Sequence, residues 1–125
     1  MFETQQDHAA PMHWQQDLMN QLAKVHAEMK ALSGKTRSVP GQPCYLQTYT
    51  RKGYGVTLRW RAATHAHITA EVAQRMINQL APTMRHWFRR AGYEAERLNR
   101  EERALRAQLR TLQTNKAAAR MDRLL

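Results

Sequence analysis

Arg51, Lys52 and Tyr54 stand around Gly53 and Gly55, and Arg59 and Arg61 follow two residues apart. Guanidinium and ammonium groups at a chain reversal can reach phosphates, and a tyrosine ring beside two cations offers a face to an unpaired base. Two-stranded ribbons also fit a DNA groove. The same residues suit a plain solvated edge, because Lys and Arg discourage strands from pairing with other chains.

A second basic group is Arg85, Arg89, Arg90, Tyr93, Arg97 and Arg100, spaced so that one helix face would carry most of them. Cations alternating with an aromatic ring suit a phosphate-and-base surface. Glu94, Glu96, Glu101 and Glu102 intervene, with Glu96–Arg100 and Glu102–Arg106 at helix-neighbour spacing. Exposed pairs of that kind dress a solvated helix. The end with the fewest acids nearby, Arg85 to Arg90, is the better candidate.

Other chemistries have little to stand on. Cys44 is the only cysteine, and His65-Ala66-His67 lacks the further ligands of a zinc site, so neither metal nor cofactor is expected. There is no glycine-rich phosphate loop and no nucleophile in a recognisable setting, so an enzyme is not expected. Trp14, Trp60 and Trp87 fall on apolar faces and read as core.

These groups need elements to hold them. Leu18, Leu22, Val25, Met29 and Leu32 are spaced 4, 3, 4, 3, the seam of a coiled-coil-like helix over Met12–Leu32. Ser33-Gly34 is expected to stop it. Gly34, Pro40, Gly41 and Pro43 mark a linker containing Lys35 and Arg37. Tyr45–Thr50 and Val56–Arg61 read as the strands of a hairpin. With Lys52-Gly53 as a tight turn, Tyr49 pairs with Val56, Gln47 with Leu58 and Tyr45 with Trp60. One face then carries Tyr45, Tyr49, Val56, Leu58 and Trp60, and the other Thr48, Thr57, Arg59 and Arg61. One residue more or less in the turn would exchange the tyrosines between faces.

A helix beginning near Thr69 carries Ile68, Val72, Met76 and Leu80. Pro82 either kinks it or opens a new helix. The helical pattern continues to about Leu112, with Met84, Trp87, Ala91, Leu98, Leu105, Leu109 and Leu112 in one sector. The expected fold is α+β, mainly α: a helix, a β-hairpin, then two helices or one long kinked helix. Residues 1–11 read as a disordered tail, 12–113 as a single domain and 114–125 as a frayed basic tail. The seam from Leu18 to Leu32 is expected to pair with the long helix, in the same chain or across a homodimer.

Charge points the same way as the motifs. The 125 residues hold 20 Lys+Arg against 10 Asp+Glu, a net +10. Arg outnumbers Lys by 15 to 5, which suits planar, bidentate phosphate contacts. Residues 1–34 carry two lysines against four acids, whereas residues 35–110 carry fifteen cations against five acids. A device for solubility alone would not spare the first helix. The absence of a signal peptide, a membrane span and paired cysteines suggests the cytoplasm.

The segment Gly55-Val56-Thr57-Leu58-Arg59-Trp60-Arg61 resembles a family of poorly characterised proteins encoded on integrating conjugative elements and related plasmids. Leu58-Arg59-Trp60-Arg61 is the close part. The order of helix, hairpin and helical C-terminal half is similar as well. The resemblance implies a bacterial mobile element, whose accessory proteins often handle DNA; it implies no role for any residue.

The expectation is therefore a nucleic-acid-binding accessory protein of a plasmid, phage or conjugative element, with DNA favoured over RNA. Its contacts would come from Arg51, Lys52, Tyr54, Arg59, Arg61, Arg85, Arg89, Arg90, Tyr93 and Arg97. The alternative is an adaptor or inhibitor that turns its basic face to an acidic protein.

Overall fold

The computed structural model describes the backbone of residues 2–124 and the side chains of residues 13–124. Five elements follow in order: α1 (Phe2–Arg37), β1 (Cys44–Arg51), β2 (Gly55–Ala62), α2 (Ala70–Asn78) and α3 (Pro82–Leu124). The fold is α+β and mainly helical, with one antiparallel hairpin between the first helix and the last two. No helix of the described residues is long and apolar enough to cross a membrane.

The helices run further than periodicity alone suggests. The backbone is already helical from Phe2, through the stretch read as a disordered tail, and α3 continues through Thr114–Leu124. Met1 and Leu125 lie outside the described residues. Ser33-Gly34 does not stop α1, because the next turn has a tertiary anchor. The fully buried Thr36 hydroxyl donates to Ser33 O at 3.0 Å and accepts from the Leu46 amide at 2.9 Å. This ties the last turn of α1 to β1. The chain turns away later, at Gly41, where φ is +69°. Pro82 opens a new helix, and α2 has its own N-cap, the Thr69 hydroxyl accepting from the Val72 amide at 3.2 Å.

The hairpin differs from the expected one by a single residue of register. Arg51 pairs with Gly55, so Lys52, Gly53 and Tyr54 form a three-residue loop in which Tyr54 N donates to Arg51 O at 2.9 Å. Gly53, at φ +83°, takes the turn position that disfavours a side chain. The pairs are Thr50–Val56, Thr48–Leu58 and Leu46–Trp60. Leu46, not Tyr45 or Tyr49, therefore shares the inner face with Leu58 and Trp60. Tyr45, Gln47, Tyr49 and Arg51 go to the outer face with Thr57, Arg59 and Arg61.

The inner face packs on α1 and α3 around Val25, Met29, Leu46, Leu58, Ala91, Ala95 and Leu98. A second cluster, Cys44, Ala73, Ile77 and Phe88, seats α2. Trp60 and Trp87 are half-buried and border both clusters. Trp14 departs from the reading as core and is 61% exposed.

Helices α1 and α3 are antiparallel: Leu18 and Leu22 meet Leu109 at one end, and Val25 and Met29 meet Leu98 further along. Of the two partners expected for the seam, the long helix of the same chain or of a second copy, it takes the one in its own chain. Leu18, Leu22, Val25 and Met29 are buried against α3 or the hairpin, and Leu32 is half-buried beside them. That side of α1 offers no free apolar surface to a second copy.

Candidate nucleic-acid interface

What aims the outer face is the way α3 grips the opposite edge of the hairpin. A two-stranded sheet leaves unpaired amides and carbonyls on each edge. On β2, Leu58 N donates to Asn99 Oδ1 at 2.8 Å, and Asn99 Nδ2 donates to Leu58 O at 3.1 Å. Two residues earlier, Val56 N donates to Glu102 Oε2 at 2.9 Å. Further along, Ile68 N donates to Trp60 O at 3.4 Å, and Ala62 N donates to Ala66 O at 2.9 Å. Four successive outward positions of β2 are thereby closed by α3 and by the segment after the strand.

Glu102 is the centre of this fastening. It is 1% exposed, and it also accepts from Arg106 Nη2 at 2.9 Å and from His26 Nε2 at 2.7 Å. Burial alone pushes its carboxyl pKa up. The hydrogen bonds from Arg106, the Val56 amide and His26 outweigh burial and hold the pKa below the usual carboxylate value. The expectation that Glu102–Arg106 is an exposed surface pair is thus corrected. The pair exists, but it joins α1, the hairpin and α3 beneath the surface. Glu96–Arg100 is not among the ion pairs of the described residues.

With its inner face buried and one edge closed, the hairpin turns Gln47, Tyr49, Arg51, Thr57, Arg59 and Arg61 outward, while Tyr45 on the same face is buried, with Arg37 over its ring and His65 at its hydroxyl. The Arg59 guanidinium lies over the Tyr49 ring, 4.3 Å from its centre, and the Arg51 guanidinium over Tyr54 at 4.6 Å. At the base of the ribbon, Arg37 from the end of α1 lies over Tyr45 at 5.1 Å. Each is a cation–π contact. Arg61 is fastened differently, with Nη1 donating to His65 O at 2.8 Å and Nη2 lying 3.0 Å from His67 Nε2. Lys52 and Tyr54 project at the tip.

No carboxylate pairs with Arg37, Arg51, Lys52, Arg59 or Arg61 among the described residues. Four acids, Glu28, Glu94, Glu101 and Glu102, are engaged elsewhere. Arg97 meets Glu94, Glu101 at 3.0 Å and Glu28 at 3.8 Å. Its hydrogen bond to Glu94 is the main reason its pKa lies above the usual arginine value and that of Glu94 below the usual carboxylate value. Arg97 therefore leaves the set of candidate phosphate contacts: three carboxylates already offset its charge.

The Arg85–Arg90 group does not join the hairpin tip. Gly55 lies against Glu102 and Arg106. Arg89 is 13 residues back along α3 from Glu102, about 20 Å at the helical rise. There it donates to Asn78 Oδ1 at 2.7 Å. Arg90 is exposed, Arg85 is half-buried and Tyr93 is 69% exposed. The cations nearer the tip are Arg103 and Arg110, exposed one turn either side of Arg106. Sequence pattern alone does not pick out these two or Arg37, since only the packing of the hairpin on α3 distinguishes them from other arginines.

An open groove of about 530 Å³ borders the outer face between β2 and the start of α2, lined by Tyr49, Arg59, Trp60, His67 and Thr69 among others. The three residues that could be imagined as metal ligands have other roles. Cys44 is fully buried in the second cluster, His65 Nδ1 lies 2.8 Å from the Tyr45 hydroxyl, and His67 is bound to Arg61. No cluster of three or more metal-ligating side chains occurs among the described residues.

Compared with protein-family models, with curated proteins and with solved structures, the chain matches none.

Proposed function

We propose that this protein binds nucleic acid through the outer face and tip of its hairpin, as an accessory protein of a bacterial mobile element. The observation that carries the reading is the ribbon of Arg37, Arg51, Lys52, Arg59 and Arg61, none paired with a carboxylate among the described residues. Cations gathered on one ribbon with no carboxylate among them make a basic patch that attracts an anionic partner. The resemblance at Leu58-Arg59-Trp60-Arg61 to proteins of integrating conjugative elements supports the biological setting. Arg90 and the exposed ring of Tyr93 add a second, separate contact region towards the α2 end of α3.

Binding of this kind is dominated by phosphate contacts and falls steeply with salt. The test is fluorescence anisotropy with labelled DNA and RNA over a salt series, for the unmodified protein and for Arg51→Ala with Arg59→Ala. Both side chains are exposed and neither guanidinium is hydrogen-bonded or ion-paired among the described residues, so their removal should leave the core intact. The expected result is weaker binding, with the salt slope shallower by about 0.7–0.9 for each phosphate that is no longer neutralised. Unchanged affinity in the double variant removes the hairpin from the interface. No binding to any nucleic acid at low salt overturns the reading.

A further inference from the structure

We infer that the hairpin's preferred ligand is a single strand, whose unpaired bases stack on the Arg59–Tyr49 and Arg51–Tyr54 pairs. This inference rests on the nucleic-acid reading above and adds which form of nucleic acid the same surface takes.

The first support is the geometry of the two pairs. Tyr49 is 37% exposed and Tyr54 is 66% exposed, and each has a guanidinium within 5 Å of its ring centre. A guanidinium over a ring covers one face and helps hold the ring in place, while the exposed remainder of the ring and the guanidinium stay accessible. Flat aromatic and guanidinium surfaces bind bases face to face. In a duplex each base face is covered by its neighbours and only edges line the grooves. The planes presented here match what a single strand exposes. Tyr49 and the tip are separated by about three strand residues, roughly 10 Å, so the two pairs are stations for different bases.

The second support is steric and independent of the first. A ribbon that reads duplex DNA must enter a major groove about 12 Å wide. Here β2 is bonded along its edge to Asn99 and Glu102 of α3. A helix alone is about 10–12 Å across, and the hairpin's two strands add about 5 Å. Strand β2 lies against α3 and β1 against α1, and the loop of Lys52, Gly53 and Tyr54 is the exposed end of the ribbon. The outer face is a platform, open to a strand laid across it and too broad to be inserted.

The third support is charge. Arg59, Arg51 and Lys52 flank both rings with no carboxylate bonded to them among the described residues. Phosphates beside the stacked bases therefore meet cations and no fixed acid.

The test uses one 20-nucleotide DNA sequence in three forms: single strand, duplex, and a single strand with abasic sites in place of its central bases. An RNA single strand serves as a fourth ligand, and all are measured at one salt concentration on the full chain. The expected result is at least tenfold tighter binding of the intact single strand than of the duplex or the abasic strand, about the effect of one well-stacked base. Tyr49→Ala with Tyr54→Ala should bring the intact strand to the abasic level while leaving the residual phosphate binding. Circular dichroism melting checks that this variant is folded, and Tyr54→Ala alone, in the loop, replaces it if it is not. Equal affinity for the three DNA forms, or a preference for the duplex, overturns the inference and leaves the nucleic-acid reading in place. Binding to none of the four ligands removes both. The DNA and RNA strands together tell which sugar is preferred.

Discussion

A side-chain carbon placed on Gly55 would stand 2.6 Å from Oε1 of Glu102. Glu102 cannot swing aside, because the Val56 amide, Arg106 and His26 all bond its other oxygen. Gly55 also holds φ +95°, which a side chain disfavours. Gly55→Ala should therefore destabilise the fold by about 2–3 kcal/mol, from backbone strain together with the clash. Urea unfolding checks this. Gly41→Ala is the control: it shares a positive φ but meets nothing within 4 Å, so it should lose less.

Asn99 makes two hydrogen bonds to the main chain of one residue, Leu58. Asn99→Ala leaves a donor and an acceptor unpaired and should cost about 2 kcal/mol. Asn99→Asp keeps an acceptor for the Leu58 amide and loses the donor to its carbonyl. Hydrogen exchange should show the Leu58 amide faster in the Ala variant than in the Asp variant.

Stability should fall in acid through Glu102. Its folded pKa lies below the unfolded value of about 4.3. The stabilisation is thus fully present above that value and is lost as pH falls through the folded pKa. Thermal melts from pH 7 down to pH 3 should show Glu102→Gln well below the unmodified protein at pH 7, by about 3 kcal/mol, because its donors lose a charged acceptor. The gap should narrow below about pH 4. A constant gap across the range would mean that the carboxylate charge is not what holds the hairpin.

Arg97 and Arg59 should behave oppositely. Arg97→Ala removes a guanidinium already held by Glu28, Glu94 and Glu101, and pairs this open to solvent contribute little to stability. Nucleic-acid affinity should change by less than about twofold, since the freed carboxylates and the missing cation lie off the hairpin. Arg59→Ala should reduce affinity several-fold with little change in melting temperature. Anisotropy titrations of the two variants, side by side, decide between the arginine face of α3 and the hairpin.

The seam from Leu18 to Leu32, the hairpin and the break at Pro82 are legible in the sequence because each rests on local rules: heptad-like spacing, β-branched and aromatic runs, and the proline ring. What is not legible depends on residues distant in the chain. Whether Tyr49 faces in or out turns on one residue in the loop, and the choice is made by Leu46 filling the space among Met29, Ala95 and Leu98. Glu102 looks like any helical acid four residues before an arginine. Its burial follows from Gly55 and Val56 lying against it, more than 40 positions earlier in the chain. Gly34 reads as a helix stop until Thr36 is seen bound to Leu46.

The grip of α3 on β2 falls on main-chain atoms of Val56 and Leu58. Every amino acid but proline has those atoms, so the grip does not depend on which side chains the ribbon turns outward. Arg51, Arg59, Tyr49 and Tyr54 can then be exchanged during evolution without renegotiating the scaffold. Relatives sharing Gly55, Asn99 and Glu102 should keep this shape while their outward residues diverge, each lineage altering what it recognises on an inherited frame.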